Sequence, residues 1–328
     1  MGKKTISFLL CLLFCCTIIY AGGRGDAGGS RRLTAGLVHA VDHNFTTNTR
    51  TFAERVAEVT NGAIRIEVFP AGQLGEERDI TAALTEGSID FCINANGEFA
   101  KRVPEFGICD APYVFKSPDH MARVVMSSIF MPLHDRLRNE FGIRILGSLY
   151  VGSRHITTGG RQIRTPADLV GFRIRVPDQQ PAINAFRMLG ANPTPIPFGE
   201  LYLALQQGLA DGQENSFGNI IGPKVHEVQD YLFLTGHIIQ NNYLTISQRT
   251  FQSLSSDHQQ VMLREGERIC KEGSDQMLRL EATDQRRFLE NHMRIIDVDV
   301  SAFQRVAQNN LQGSGFDPAW YMRIQGFN

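Results

Sequence analysis

Two arginines stand on alternate residues of the stretch GFRIRVP, where Arg173 and Arg175 precede Pro177. The alternation predicts a short β-strand whose apolar residues point to one face and whose arginines point to the other. Because proline cannot donate to a sheet ladder, Arg175 is predicted at or near the carboxyl end of the strand. Ligands of open α/β sheets bind at that edge. From this stretch alone two interpretations stay open, a solvated strand face with two surface cations or an anion-binding site.

Length and composition limit the classes of protein to consider. The chain has 328 residues, enough for two domains, and its 42% hydrophobic and 20% charged residues are typical of a globular protein. Its formal net charge of -1 supplies no positive field for nucleic acid or for an anionic membrane. The composition therefore predicts no nucleic-acid partner.

Residues 1–21 have the pattern of a signal peptide, with two lysines, an apolar run and small residues around Ala21 that suit a signal peptidase. The run is shorter than the roughly 20 apolar residues that a membrane-spanning helix needs. Residues 22–32, which are rich in glycine, are predicted to form a flexible tether. Alternatively, Cys15 or Cys16 carries a lipid that anchors the chain. The sequence thus predicts an exported periplasmic protein, either soluble or lipid-anchored.

Three cysteines, Cys92, Cys109 and Cys270, follow the predicted leader. Their odd number and wide spacing do not fit a disulfide framework or a metal site. Each stands beside apolar residues, so we expect buried thiols.

Strand-like and helix-like segments alternate along the rest of the chain. The strand-like segments are LTAGLV, AIRIEVF, SIDFCI, IRILGSLYVG, FRIRV and PTPIPF. This order predicts an α/β protein with a mostly parallel sheet. Residues 255–292 contain no proline and predict one long helix that spans two lobes. Gly266 and Gly273 are the positions where we expect this helix to bend or break.

Signatures of catalysis are missing from the sequence, which contains no Walker loop, no dinucleotide-binding fingerprint, no nucleophile elbow and no HExxH motif. His39 and His43, with Asp42 between them, could bind a metal ion if they lay on one helix face. Their position between a strand and a helix favours a loop, so we predict histidines at a pocket rim and no metal. The sequence predicts no cofactor and no enzymatic activity.

A series of motifs extends from about Leu33 to the C terminus: FPAGQLGEERD, GSIDF, APYVF, GFRIRVP and PTPIPFGELYLALQQGLADGQEN, then an aromatic-rich terminal helix. In this order they resemble the periplasmic solute-binding proteins of TRAP transporters, the DctP-type family. The resemblance implies an α/β, two-lobed periplasmic binding protein fold with a hinge and a long helix that braces both lobes. Lobe I then comprises residues 33–151 with about 241–280, and lobe II comprises residues 152–240 with about 281–328.

The resemblance also implies roles in ligand binding. It makes Arg175 the main carboxylate clamp, Arg154 a second cation and Asn215 an amide donor to the same group. The chemistry suits these roles, because a guanidinium presents a planar fork that matches a carboxylate. Arg173 falls where the family varies, and we expect it to face solvent.

Some positions depart from the sialic-acid receptors of that family. Val151 stands where those receptors often carry asparagine, and Ala95 stands where they carry an acidic residue. Phe198 matches a pocket aromatic of the family, and Phe217 is a second candidate, although ordinary core packing explains Phe217 equally well. With His39 at the rim, these residues predict a ligand with an apolar side group rather than a heavily hydroxylated sugar acid.

The resemblance therefore implies a non-enzymatic receptor that binds a small organic carboxylate and delivers it to the subunits of a TRAP-type membrane permease. A binding protein that serves sensing or scavenging without transport stays open as an alternative. A hydrolase or lyase on the same fold would need a nucleophile or base that the motifs do not supply.

Overall fold

The computed structural model of the chain describes residues 30–327. The predicted signal peptide with its candidate lipid-bearing cysteines, and most of the predicted tether, lie outside the described residues. The predicted tether extends too far, because Arg31 and Arg32 already pair with the neighbouring strand of the sheet. None of the described helices is both long and apolar enough to cross a membrane.

The described strands form one sheet of nine strands in the order β2-β1-β3-β8-β4-β7-β5-β6, with β9 beside β8. They are Arg31–Gly36 (β1), Ile64–Phe69 (β2), Phe91–Ala95 (β3), Ile143–Thr158 (β4), Arg173–Val176 (β5), Asn192–Pro195 (β6), Gly212–Asn215 (β7), Tyr231–Ser247 (β8) and Arg294–Ile296 (β9).

The sheet is mixed, and not mostly parallel as predicted, because the two long strands β4 and β8 run antiparallel through its centre. One half of this long pair continues through β3 into the parallel strands β1 and β2. The other half continues through β7 into the parallel strands β5 and β6, and β9 joins it along β8. Two groups of parallel strands are thus connected by one antiparallel pair, which gives the two lobes of the fold.

The register of the long pair shifts between Tyr150 and Gly152, where the two halves of the sheet meet. Gly152 has a φ of 124°, which side chains disfavour, and a Cβ there would lie 2.9 Å from the Cβ of Ser216. Glu281 accepts hydrogen bonds from the Tyr150 hydroxyl at 2.5 Å and from the Ser153 backbone N–H at 2.8 Å. The predicted lobe boundary falls at this irregularity, and its position stays a prediction.

Helices cover both halves of the sheet. The described α-helices are Asn44–Val59 (α1), Glu77–Glu86 (α2), Asn96–Ala100 (α3), Pro118–Val125 (α4), Met131–Phe141 (α5), Gln180–Met188 (α6), Leu201–Gln206 (α7), Phe217–Ile221 (α8), Gln248–Ser253 (α9), Ser256–Ala282 (α10), Asp284–His292 (α11), Val300–Asn309 (α12) and Pro318–Gln325 (α13).

The predicted long helix is present as two consecutive helices, α10 of 27 residues and α11, which begins after a break at Thr283. The break does not occur at Gly266 or Gly273, where we expected it. Both glycines are buried against other elements: a Cβ at Gly266 would lie 2.7 Å from the Cβ of Leu146, and one at Gly273 would lie 2.5 Å from Nδ2 of Asn48. These glycines therefore serve close packing rather than bending.

The three cysteines of the described chain, Cys92, Cys109 and Cys270, are free and buried, as predicted. Burial raises the pKa of the Cys92 thiol to about 12. A thiol with so high a pKa is not a nucleophile at neutral pH, so these residues act as small core side chains.

We predict that Gly266→Ala destabilises the protein by about 1 to 3 kcal/mol, because the new methyl group must displace Leu146 at its rigid Cβ. Helix propensity alone predicts that the variant is more stable than the parent, since alanine is a better helix former than glycine by about 1 kcal/mol. Urea denaturation measures the difference. Gln276→Ala, at an exposed site of the same helix, is the control and is expected to change stability by less than about 0.5 kcal/mol. A Gly266→Ala variant more stable than the parent would contradict the packing argument.

Candidate functional site

A cleft opens at the carboxyl ends of β3, β5 and β7, with an empty volume of about 700 Å³ including its mouth. Its lining combines guanidinium groups, carboxylates, amides and a few apolar side chains from both halves of the sheet. Six predicted ligand-binding residues are part of this lining: Arg175, Arg154, Asn215, Phe198, His39 and Ala95.

Arg175 lies one residue before the end of β5, and Pro177 follows the strand as predicted. Its side chain is fully buried, with 0% of its surface exposed. Nε and Nη2 donate to the carbonyl oxygen of Ile196 at 2.9 and 2.6 Å, whereas Nη1 has no hydrogen-bond partner among the described residues. Burial lowers the pKa of Arg175 to about 10, so the group keeps its positive charge at neutral pH. A buried donor on a cation is thus left available to the cleft.

Arg154, on β4, is paired within the protein. Its Nε and Nη2 donate to the two carboxylate oxygens of Glu214 at 2.5 and 2.6 Å, Nη2 also donates to the Glu214 carbonyl at 2.9 Å, and Nη1 donates to Oε1 of Gln240 at 2.6 Å. These bonds use four of the five N–H groups of the guanidinium. Arg154 therefore presents one remaining donor to the cleft, with its charge balanced by Glu214.

Glu214 itself is buried and ionised. Burial alone would raise its pKa, but the charge of Arg154 and the hydrogen bond from His237 outweigh that effect and lower the pKa to about 2. Nε2 of His237 lies 3.1 Å from Oε2 of Glu214, and Nδ1 of the same ring lies 2.8 Å from Oγ1 of Thr235. Thr235 and His237 thus hold Glu214, which in turn fixes Arg154 in one orientation.

Asn215 ends β7 directly after Glu214, and its Oδ1 atom has no hydrogen-bond partner within the described chain. Phe198 and His39 form an aromatic part of the lining, with ring centroids 5.4 Å apart. Ala95 ends β3 and contributes a small apolar surface.

Two predicted residues lie elsewhere. Val151 is buried in the core cluster that includes Leu149 and Leu244. Phe217 is the first residue of α8 and stacks on His155, with ring centroids 5.0 Å apart, in a separate apolar cluster. The structure therefore places Val151 and Phe217 in the core, because the register shift next to Val151 and the start of α8 direct both side chains into packed apolar surroundings.

The histidine pair shows no sign of a metal site. His39 and His43 have ring centroids 4.4 Å apart, and His43 caps α1 by accepting from the Phe45 backbone N–H while its Nε2 lies 3.1 Å from Oδ1 of Asn219. Burial lowers the pKa of both rings, that of His43 to about 4, so both are neutral at pH 7. Over residues 30–327, no group of three or more His, Cys, Asp or Glu residues is placed to hold a metal ion.

Sequence reasoning missed five polar residues of the cleft lining. Glu76, Glu77, Glu98, Gln179 and Asn242 all line the cleft. Glu76 and Glu77 stand in the GEERD motif, Gln179 lies two residues after GFRIRVP, and Glu98 lies seven residues after GSIDF. Attention to residues in and next to the motifs would have found Glu76, Glu77 and Gln179. Their residue types gave no signal, because most charged residues on helices are exposed to solvent.

Gln179 connects the two halves of the molecule across the cleft. Its Nε2 lies 3.3 Å from Oε2 of Glu77 and 3.4 Å from Oε1 of Glu98, while Glu77 also accepts from the Ala95 backbone N–H at 2.9 Å. Gln179 contacts Gly97 so closely that a Cβ on this glycine would lie 2.0 Å from its Oε1. The two halves of the molecule therefore touch at the cleft.

Comparison with known protein families gives one match that covers most of the chain. The sequence model described as "Bacterial extracellular solute-binding protein, family 7" (DctP) matches residues 35–314. A solute-binding protein of Roseobacter denitrificans is 33% identical over 260 residues, which are 79% of each chain. The sialic acid-binding periplasmic protein SiaP of Vibrio cholerae is 32% identical over 232 residues, which are 71% of each chain.

Solved structures resemble the fold over nearly the whole described chain. The TRAP periplasmic solute-binding protein from Roseobacter denitrificans with bound L-galactonate has a TM-score of 0.84 and 28% identity, over 90% of this chain and 97% of that one. A Bordetella protein of the same description, with density interpreted as pantoate, has a TM-score of 0.85 and 27% identity, over 90% of this chain and 99% of that one.

We predict that Glu214→Gln destabilises the folded protein by about 3 to 5 kcal/mol, because it leaves the Arg154 guanidinium buried without its counter-charge. The ion pair of Glu214 with Arg154 also makes the free energy of unfolding depend on pH. Since the folded pKa of Glu214 is depressed to about 2, its stabilisation is present above the ordinary value of 4.5 and is lost as the pH falls from 4.5 toward 2. Chemical denaturation at pH 7 and between pH 4.5 and 2 measures both effects.

The control for this prediction is Asp211→Asn, which removes the partner of the exposed Arg173 on the neighbouring strand. Exposed ion pairs contribute little, so this variant is expected to resemble the parent. Equal losses of stability in the two variants would show that Glu214 has no special role as a buried counter-charge.

Proposed function

The chain belongs to the bacterial extracellular solute-binding protein family 7, and from this premise we propose that it binds a small organic carboxylate between its lobes and delivers it to a TRAP-type membrane permease. The family is one of solute receptors rather than enzymes, which agrees with the buried Cys92 thiol, whose pKa burial raises to about 12. The predicted signal peptide supports a periplasmic location, and a lipid on Cys15 or Cys16 stays a prediction.

The observation that carries the proposal is the unpaired Nη1 donor of Arg175. A buried donor without a partner costs about 1 to 3 kcal/mol, and more on a charged group. A carboxylate ligand supplies both the acceptor and the counter-charge, so it stabilises the closed cleft more than a neutral ligand does. L-Galactonate and pantoate, the ligands of the two similar structures, both carry a carboxylate.

Arg154 and Asn215 are proposed to complete the carboxylate site. Arg154 offers one N–H group whose orientation is fixed by Glu214, and Asn215 is an amide on the adjoining strand that lines the same cleft. Because the charge of Arg154 is already balanced, Arg175 is the group whose charge the ligand neutralises.

The carbon skeleton of the ligand is proposed to pack on Phe198, Val38 and Ala95, which are apolar residues of the lining. This surface supports a ligand with an apolar side group, as the sequence predicted. It is smaller than expected, because Phe217 and Val151 lie in the core. The ligand is therefore proposed to have a short apolar segment rather than a long chain.

We predict that Arg175→Ala weakens carboxylate binding by roughly 30-fold to several thousandfold, which corresponds to about 2 to 5 kcal/mol for an unpaired buried charge. Arg175→Lys is expected to restore only part of the affinity, since an ammonium cannot reproduce the bidentate fork. Native mass spectrometry of the purified protein identifies a co-purifying acid, and calorimetry with that acid measures the loss.

Arg173→Ala is the matched control, because Arg173 lies two residues away on the same strand but is exposed and paired with Asp211. It is expected to bind like the parent. If Arg173→Ala lost binding while Arg175→Ala kept it, the assignment of the clamp would be wrong, and normal binding by both would remove the carboxylate proposal. Circular dichroism checks that each variant is folded.

We predict that Gly97→Ala weakens ligand binding about tenfold or more by hindering closure of the lobes. The added Cβ would meet the Cβ of Gln179 at 2.8 Å as well as its amide group. The apparent affinity falls with the population of the closed state. Gly199→Ala is the control, because its Cβ meets only the far end of the Glu76 side chain, which can rotate away. Equal affinities of the parent and Gly97→Ala, measured by calorimetry, would count against closure at this contact.

A further inference from the structure

A groove adjoins the ligand cleft on the other side of Phe198. It has an empty volume of about 580 Å³ including its mouth, compared with about 700 Å³ for the cleft. Val38 and Phe198 line both spaces, so the groove and the cleft are neighbours that share a wall. Ala71 and Gly222 are exposed and line the groove but not the cleft. The groove is therefore open to solvent at the surface of the protein.

The shared wall is built from aromatic rings of both halves of the molecule. His39, which lines the cleft, has its ring centroid 5.4 Å from that of Phe198 and 4.4 Å from that of His43, which lines the groove. Phe198 lies two residues after Ile196, whose carbonyl oxygen accepts two hydrogen bonds from Arg175. The position of the wall is thus tied to the clamp residue of the cleft.

The groove and the cleft differ in charge. Charged side chains line the cleft, among them Arg175, Arg154, Glu77 and Lys101. The described residues that line the groove include no Asp, Glu, Lys or Arg, and the imidazole of His43 is neutral because burial lowers its pKa to about 4. A charged group would lose hydration in the groove without gaining a counter-charge. The groove therefore suits an uncharged chain.

The lining of the groove also suits an apolar chain. Ala40, Ala71 and Pro223 contribute apolar surface, and Tyr202 contributes its ring while its hydroxyl donates to Glu227 at 3.2 Å. Each methylene group that leaves water for such a surface raises the affinity by roughly two- to fourfold. A ligand whose chain reached the groove would therefore gain affinity with every added methylene group.

We propose that Phe198 limits the length of the apolar segment of the ligand by closing the cleft toward this groove. The inference rests on the proposed function, because it takes the ligand carboxylate to be bound at Arg175. With the phenyl ring in place, an acid that fits has to end within the cleft. A smaller side chain at position 198 would join the two spaces, and the apolar chain of a longer acid would extend into the groove.

The experiment measures affinity against chain length with four straight-chain acids: butanoate, hexanoate, octanoate and decanoate. Calorimetry at pH 7.5 compares the mature protein with Phe198→Ala. For the parent, we expect octanoate and decanoate to bind no more tightly than hexanoate. For Phe198→Ala, we expect decanoate to bind roughly 10- to 100-fold more tightly than hexanoate, since its four additional methylene groups enter the groove.

The quantity compared is the ratio of the decanoate affinity to the hexanoate affinity within one protein. A uniform loss of affinity caused by removing the phenyl ring leaves this ratio unchanged. Circular dichroism checks that each variant is folded, and Phe198→Val, which also shortens the side chain, provides the same test if Phe198→Ala does not fold.

Tyr202→Ala is the matched control, because it removes an aromatic side chain that lines the groove but not the cleft and leaves the wall at Phe198 in place. This variant is expected to keep the ratio of the parent. The double variant Phe198→Ala with Arg175→Ala tests whether the carboxylate is still held at the clamp, and it is expected to lose the gain in decanoate binding.

The outcomes separate this inference from the proposed function. Equal ratios in the parent and in Phe198→Ala, including the case in which neither protein binds these acids, overturn the inference about ligand length. An equal gain in Tyr202→Ala overturns the assignment to Phe198. A gain that persists without Arg175 counts against the proposed carboxylate site, and a non-acidic solute that co-purifies with the parent overturns the proposed function itself.

Discussion

Arg175 is a cation that the fold buries completely while leaving one of its donors unpaired. Removing a charge from water is costly unless a counter-charge and hydrogen bonds replace the lost hydration. The carbonyl of Ile196 supplies two hydrogen bonds but no charge. Glu214, Glu77 and Glu76 act on the charge of Arg175 from nearby, but Nη1 has no hydrogen-bond partner among the described residues. In the proposed function, a ligand carboxylate accepts from this donor and thereby favours closure of the cleft. In the proposed closure, the contact between Gln179 and Gly97 forms as the two lobes approach each other.

The second arginine shows how the same residue type takes a different role. Arg154 has a full counter-charge in Glu214, and His237 and Thr235 hold that carboxylate in place. Its guanidinium is held in one orientation and its charge is balanced within the protein. In the proposed carboxylate site, Arg154 therefore orients the ligand and Arg175 supplies most of the electrostatic attraction. Two unpaired arginines in one small cleft would repel each other, and pairing one of them internally lets both stand near one anion.

Much of the fold followed from local patterns, and the long-range arrangement did not. Alternation in GFRIRVP and the stop at Pro177 placed Arg175 at the end of its strand, because these are properties of the strand itself. The antiparallel pairing of β4 with β8 was missed, since nothing in either segment specifies its partner. Gly266 and Gly273 were expected to break the long helix, but their role depends on Leu146 and Asn48, which are distant in sequence. For the same reason Val151 and Phe217 were predicted at the cleft, although neighbouring apolar residues draw both into the core.

Sequence patterns could not identify the acids of the cleft, because the role of these acids depends on their burial. Glu77 and Glu98 look like ordinary helical carboxylates in the sequence, and only the fold shows that Lys101 balances one while the other has a raised pKa. Glu77 and Glu76 are also among the carboxylates whose charge acts on the buried guanidinium of Arg175. The electrostatics of the cleft are therefore set by segments that are far apart in the sequence, and no single segment specifies them.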